Sequence, residues 1–179
     1  MDRKWPATMA LLLGVSTPSA AAYPEMIPLE DASLVGRTAP PVELALLAGG
    51  TFSLEDAQED GKVVILAFWA SWCGPCQREL PALRELQGSL DSEPVQIVLI
   101  NVDKDKRDAL RFLQRINMSA DDMSVAMDSE SVILGSYSVL SMPTSFVIDP
   151  NGTVKLTKVG YSTDKGLAEI EAAIAEALR

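Results

Sequence analysis

The feature that most constrains this chain is a seven-residue apolar run that ends just ahead of two cysteines. Val63-Val64-Ile65-Leu66-Ala67-Phe68-Trp69 contains no charged residue and is rich in β-branched and aromatic side chains. Such a run suits a strand buried on both faces, as in sheets covered by helices on either side. A buried helix is the competing reading. Gly61 before the run and Cys73-Gly74-Pro75 after it favour the strand. From residue 75 to 90 the period changes, and Leu80, Leu83, Leu86 and Leu90 recur at helical spacing. The pattern predicts a strand–turn–helix unit with Cys73 and Cys76 at the turn.

The flanking sequence extends the pattern. Residues 42–46 and 51–54 read as short strands around Ala48-Gly49-Gly50, a hairpin signal. Residues 95–102 form a second buried-strand candidate. Residues 105–116 read as an amphipathic helix carrying Leu110, Leu113 and Ile116. A short strand at 125–127 and a short helix at 131–137 follow. Phe146-Val147-Ile148 and residues 154–159 flank Asp149-Pro150-Asn151-Gly152, a turn between two strands. Residues 163–178 close as a helix with Leu167, Ile170, Ile174 and Leu178 on one face. Strands alternating with helices imply an α/β fold with a central sheet covered on both faces. The final hairpin makes that sheet mixed.

Composition narrows the chemistry. With 179 residues, 47% hydrophobic and 22% charged, one ordinary globular domain is expected. A net charge of −10 argues against tracking a phosphate backbone, so no nucleic-acid partner is expected. Histidine is absent, which rules out Ser-His and Cys-His nucleophile pairs and His-containing zinc or copper sites within the chain. No metal site is expected. Arg3 and Lys4, the apolar stretch 9–15 with Leu11-Leu12-Leu13, and Ala20-Ala21-Ala22 read as a secretory leader cleaved before Tyr23. The apolar stretch is shorter than the ~20 residues that span a bilayer. A cytosolic tail or an uncleaved anchor is the alternative. These signals divide the chain into a leader at 1–22, a linker at 23–35 and a domain at 36–179, exported to the periplasm or an equivalent compartment.

The cysteines carry the candidate chemistry. A helix N-terminus presents unpaired N–H groups and partial positive charge, which lowers a thiol pKa below its free value of ~8.5. Pro75 suits the first helical turn because it has no N–H to leave unpaired. Cys73, at the outer end, is expected to be reachable and to attack a substrate disulfide. Cys76, one turn deeper, would resolve the mixed disulfide. A zinc half-site or a pair of inert buried cysteines is the alternative. Trp72 reads as part of the rim on which a substrate docks.

The segment Phe68-Trp69-Ala70-Ser71-Trp72-Cys73-Gly74-Pro75-Cys76 resembles the active site of the thioredoxin superfamily. More narrowly, the chain resembles the TlpA/ResA-like periplasmic thiol–disulfide oxidoreductases over residues 36–179. Pro81 matches the proline within the active-site helix. Met142-Pro143-Thr144 matches the loop whose proline is cis and faces the cysteines, and whose preceding residue offers its backbone to the substrate. Residues 36–40 with the hairpin match the branch's N-terminal extension, and 105–127 match its insertion. Cytosolic thioredoxins have a buried Asp where this chain has Ala67, so that proton acceptor is missing. The branch instead has a glutamate three residues after the second cysteine, here Glu79; residues three apart on a helix are neighbours. An exposed helix glutamate is the alternative reading.

The resemblance implies a thioredoxin-like three-layer sandwich with an N-terminal β-hairpin extension. It implies catalytic roles for Cys73, Cys76 and Glu79, and substrate contacts from Trp72, Gly74, Pro75, Met142 and Pro143. The implied activity is reduction of protein disulfides, with no cofactor beyond the redox-active Cys73–Cys76 pair. A membrane thiol-reductant transporter would supply electrons to a monomer. Cytochrome c maturation or copper-site proteins would be the clients. A Cu(I)-binding chaperone using the two thiolates and a peroxiredoxin-like antioxidant are the alternatives.

Overall fold

In the computed structural model, which describes residues 33–163 and 165–179, the apolar run becomes the middle strand of a sheet. The elements follow in the order β1 (Glu43–Ala45), β2 (Thr51–Ser53), α1 (Leu54–Glu59), β3 (Val63–Trp69), α2 (Cys76–Ser89), β4 (Val95–Asn101), α3 (Lys106–Arg115), β5 (Ser124–Met127), α4 (Val132–Ser136), β6 (Thr144–Ile148), β7 (Val154–Val159) and α5 (Ala168–Ala177). The main sheet has the order β5-β4-β3-β6-β7. The β3–β4 and β4–β5 pairs are parallel, while β3–β6 and β6–β7 are antiparallel. The sheet is therefore mixed, as the closing hairpin requires.

Every residue of β3 is buried, and strand alternation sends its side chains to two separate cores. Val63, Ile65, Ala67 and Trp69 join Leu80 and Leu83 of α2, Phe112 and Leu113 of α3, and Ile170 and Ile174 of α5. Val64, Leu66 and Phe68 join Phe52, Leu54, Ile133, Tyr137 and Phe146 on the other side. This gives the expected three layers. The need to be apolar on both faces explains why the run shows no alternation in sequence.

Both edges of the sheet are partly covered, which limits edge-to-edge association. On one side Leu46 bridges Ala126, and the Leu47 N–H donates to the Val125 carbonyl at 2.8 Å. On the other, Gly36 N–H donates to Val154 O at 2.8 Å and Val154 N–H to Arg37 O at 2.9 Å. The β1–β2 pair forms the expected two-stranded extension. The turn after β6 is held by Asp149 Oδ1, which accepts from the N–H groups of Asn151 and Thr153. Gly152 there has φ +82°, and a Cβ at that position would meet Gln58 Nε2 at 3.0 Å.

The structure departs from the sequence pattern in three places. Helix α1 was not anticipated, and Leu54 belongs to it rather than to a strand. It is six residues long, with only Leu54 and Ala57 buried, too few to show a period. Its signal is the cap: Ser53 Oγ accepts from Asp56 N–H at 3.2 Å. In α3 the deeply buried stripe is Ala109, Phe112 and Leu113, whereas Leu110 and Ile116 are only half-buried. The last helix begins at Ala168 instead of 163, because the chain first turns through Gly166 at φ +53°. The expected leader at 1–22 lies outside the described residues, as does the expected linker apart from 33–35. Within that short piece Leu34 packs against the second core. No helix among the described residues is long and apolar enough to cross a membrane.

Candidate active site

Strand β3 delivers the chain to the site, and a buried carboxylate shapes the turn that follows. Asp103 is 6% exposed. Its Oδ2 accepts from Ser71 N–H at 2.9 Å and from Asn101 Nδ2 at 2.8 Å, and its Oδ1 accepts from Ser71 Oγ at 3.0 Å. Asn101 Oδ1 in turn accepts from Asp103 N–H at 3.0 Å. The end of β4 thus holds the loop two residues ahead of Cys73. Asn101 and Asp103 lie outside the candidates read from the sequence, and Ser71 enters there only as part of the matched segment. Their signal is a pair of polar residues, two apart, interrupting an otherwise apolar strand end.

The two cysteines form a disulfide, with Cα atoms 5.4 Å apart. Pro75 caps α2 without a side-chain hydrogen bond. Cys76 N–H, an early donor of the helix, instead donates to Cys73 Sγ at 3.2 Å. The sulfur so occupies the place of an N-cap acceptor, where negative charge is favoured. The residue expected to be reachable, Cys73, is largely covered in the disulfide form. It is 4% accessible and Cys76 is 0%. The accessible surface is supplied by its neighbours. Trp72 is 70% exposed, and Gly74 and Pro75 are exposed as well. Trp69, in contrast, is wholly buried and stacks near Phe112.

The Met142–Pro143 peptide is cis, as the resemblance implied. Thr144, the next residue, pairs with Phe68 of β3, so this loop and the cysteine loop leave the sheet at the same end. Pro143 is buried and Met142 half-buried. Met142 packs against both cores. Pro143 O accepts from Gly160 N–H at 2.8 Å, which fastens the loop to the end of β7.

Glu79 is the least ordinary residue of the site. It lies on the inner face of α2 with Cys76 and Leu80 and is 1% exposed. An exposed helix glutamate is thereby excluded. Burial penalises its charged form and pushes the pKa from 4.5 up to about 7; the nearby Lys158 ammonium and Ser145 hydroxyl offset only part of that rise. Lys158 Nζ stands 4.0 Å from Glu79 Oε1. Ser145 is close enough to act on the carboxyl, yet neither Ser145 Oγ nor Glu79 Oε2 closes a well-formed hydrogen bond. Lys158 was also not anticipated. Its signal was parity with Leu156, two residues earlier, which packs against the first core; an irregularity in the β6–β7 pairing puts Val154 in the second core instead. Among the described residues no cluster of three or more His, Cys, Asp or Glu side chains could hold a metal ion.

Comparison with known proteins agrees with this geometry. Residues 35–157 match the model of the AhpC/TSA family. The chain is 33% identical over 162 residues to the thiol-disulfide oxidoreductase ResA of Geobacillus thermodenitrificans, covering 90% of each chain. It is 30% identical over 172 residues to the thioredoxin-like protein YneN of Bacillus subtilis, covering 94% of this chain and 97% of that one. Among solved structures, one from Chlorobium tepidum assigned as a thiol:disulfide interchange protein DsbE superimposes with a TM-score of 0.72 at 36% identity. It covers 81% of this chain and 98% of that one.

Proposed function

The chain belongs to the AhpC/TSA family and is a thiol–disulfide oxidoreductase of thioredoxin-like fold; from that premise we propose that it is an exported reductase of protein disulfides. The observation that carries the reading is the Cys73–Cys76 disulfide at the start of α2, with Cys76 N–H directed at Cys73 Sγ. Export rests on the leader signals of residues 1–22.

In the reduced protein the Cys73 thiolate attacks one sulfur of a client disulfide. A mixed disulfide forms, and the client's other sulfur leaves as a thiolate. Cys76 then loses its proton to Glu79, whose pKa of about 7 suits it to accept a proton and give it back near neutrality. The Cys76 thiolate attacks Cys73 Sγ, closing the internal disulfide and releasing the second client sulfur. Two electrons pass to the client, whose two sulfurs take up two protons. A membrane dithiol donor returns the pair to the reduced state. Trp72, Gly74, Pro75 and the Met142–Pro143 loop form the docking rim. The clients implied are cytochrome c maturation or copper-site proteins.

A Cys76→Ser variant tests this. It can start exchange but cannot resolve it, so in the native host it should accumulate covalently on its client through Cys73. Recovery of client proteins with reducible cysteines is the expected result. Stoichiometric Cu(I) retention by the wild type, or peroxide turnover without any trapped protein, would overturn the reading.

A further inference from the structure

We propose that Lys158 is a positioning residue for the exchange reaction, holding the Glu79 carboxylate against the sheet and tying it to the backbone that carries the cis-Pro143 loop. The inference rests on the reading of Glu79 as the proton carrier and extends it to a residue of β7.

Three observations meet at this lysine. Lys158 is only 8% exposed, unusual for an ammonium group, which is rarely buried without a partner. Its Nζ lies 4.0 Å from Glu79 Oε1. The same Nζ donates to Gly160 O at 2.6 Å, and Gly160 N–H donates to Pro143 O at 2.8 Å. One residue, Gly160, therefore takes the lysine on its carbonyl and holds the proline loop with its amide. The chain of contacts runs from the carboxyl beside Cys76, through the ammonium, to the loop at the cysteine end of the sheet.

The sheet register explains why a lysine fits here. Ala67 pairs with Ser145, and Ser145 pairs with Lys158, so the three lie side by side across β3, β6 and β7. The first two side chains are small and leave depth for Glu79 to reach inward from α2. From β7 comes Lys158, from β6 Ser145, and from β3 only the uncharged Ala67; α2 itself contributes Cys76. Tyr161 presents its ring 5.5 Å from Lys158 Nζ, a cation–π contact that helps hold the ammonium. Lys165 and Glu169 line the cleft of about 400 Å³ that also reaches Lys158, so these two groups set the field on its solvent side.

An ammonium at this distance favours the ionised carboxylate. Lys158 thus limits how far burial can raise Glu79, and the carboxylate it favours is the form that takes the Cys76 proton. Because the same ammonium anchors Gly160, its loss should disturb docking against the Pro143 loop as well as proton transfer.

The experiment compares full-length wild type with Lys158→Met, Lys158→Gln, Lys158→Arg, Glu79→Gln and the Glu79→Gln/Lys158→Met double variant. The readouts are the pH–rate profile of cysteine alkylation in the reduced protein, and kcat and KM for insulin-disulfide reduction. Removing the charge in either Lys158→Met or Lys158→Gln should move the Glu79-dependent inflection up by about one pH unit and raise KM. Lys158→Arg should restore the inflection. In the Glu79→Gln background Lys158→Met should leave the alkylation profile unchanged. Should Lys158→Met fail to fold, Lys158→Gln decides. If Glu79→Gln shifts the profile but the charge-removing Lys158 variants superimpose on wild type, the inference is wrong and the Glu79 reading stands. If Glu79→Gln itself superimposes on wild type, the Glu79 reading has failed.

Discussion

In the Glu79→Gln variant an amide replaces a carboxyl group that is 1% exposed, at almost no change in shape. The carboxyl titrates at about 7 in the folded protein against 4.5 when free, because burial opposes its charge. Each pKa unit corresponds to ~1.4 kcal/mol of difference between the two protonation states. Holding the ionised side chain in the fold therefore costs about 3 kcal/mol relative to the protonated one. The sign follows from proton counts. Below pH 4.5 both folded and unfolded chains carry the proton, and the carboxylic acid behaves much like the amide. Between 4.5 and about 7 the folded chain keeps a proton that the unfolded chain has lost, so stability declines as pH rises. Above about 7 the decline is complete.

Wild type and variant should thus be alike near pH 4.5, while the variant should be the more stable by about 3 kcal/mol at pH 8. That is a large share of the ~5–15 kcal/mol typical of a domain. Urea denaturation of both proteins with the disulfide intact, at pH 4.5, 6 and 8, measures the gap. Titrating groups that do not face Glu79 are common to the two and cancel in the difference, leaving Lys158 as the one partner whose surroundings change. Stability curves that run parallel across this range would refute the assignment of the raised pKa to Glu79.

Two further outcomes follow from the site. Cys73→Ala and Cys76→Ala should each abolish catalytic reduction of insulin disulfides while preserving the circular dichroism of the fold; full turnover by either would end the dithiol mechanism. Asp103→Ala strips acceptors from Ser71 and Asn101 and should cost about 2–4 kcal/mol in urea denaturation, with slower exchange as the loop ahead of Cys73 loosens. An unchanged urea midpoint would show that water replaces the carboxylate without loss.

The architecture was legible where a physical constraint acts on many consecutive residues. A strand buried on both faces must be apolar throughout, so β3 announced itself in seven letters. Cys73 and Cys76 were legible because their spacing sits at the change of period. Glu79 was legible as a position through resemblance, but its burial was not, because Gln77 and Arg78 beside it are exposed. What stayed hidden depends on contacts between distant segments. Lys158 reaches Glu79 from 79 residues along the chain. Asp103 reaches Ser71 across 32 residues. Helix α1 depends on one cap and two buried side chains, too little for a periodicity argument.

The position of the acid also bears on how the site trades stability for chemistry. With Ala67 in β3, the floor beneath the disulfide carries no ionisable group of its own, and the carboxyl arrives from α2 instead. On that helix it is three residues from Cys76, so it moves as one rigid body with the sulfur it would serve. The sheet then supplies the counter-charge, Lys158, from a separate element. A carboxylate bound to one element and its ammonium to another makes their separation, and with it the proton affinity, depend on the spacing between α2 and β7. A buried acid that lowers stability at working pH has no packing advantage over leucine or glutamine. Its presence one turn from the disulfide fits the proton transfer proposed above, the kind of task for which proteins retain a destabilising group. The Glu79→Gln protein should accordingly be firmer above pH 7 and slower to resolve a mixed disulfide there. A variant that gained stability and lost no rate would separate the two effects and leave the buried charge without a purpose in exchange.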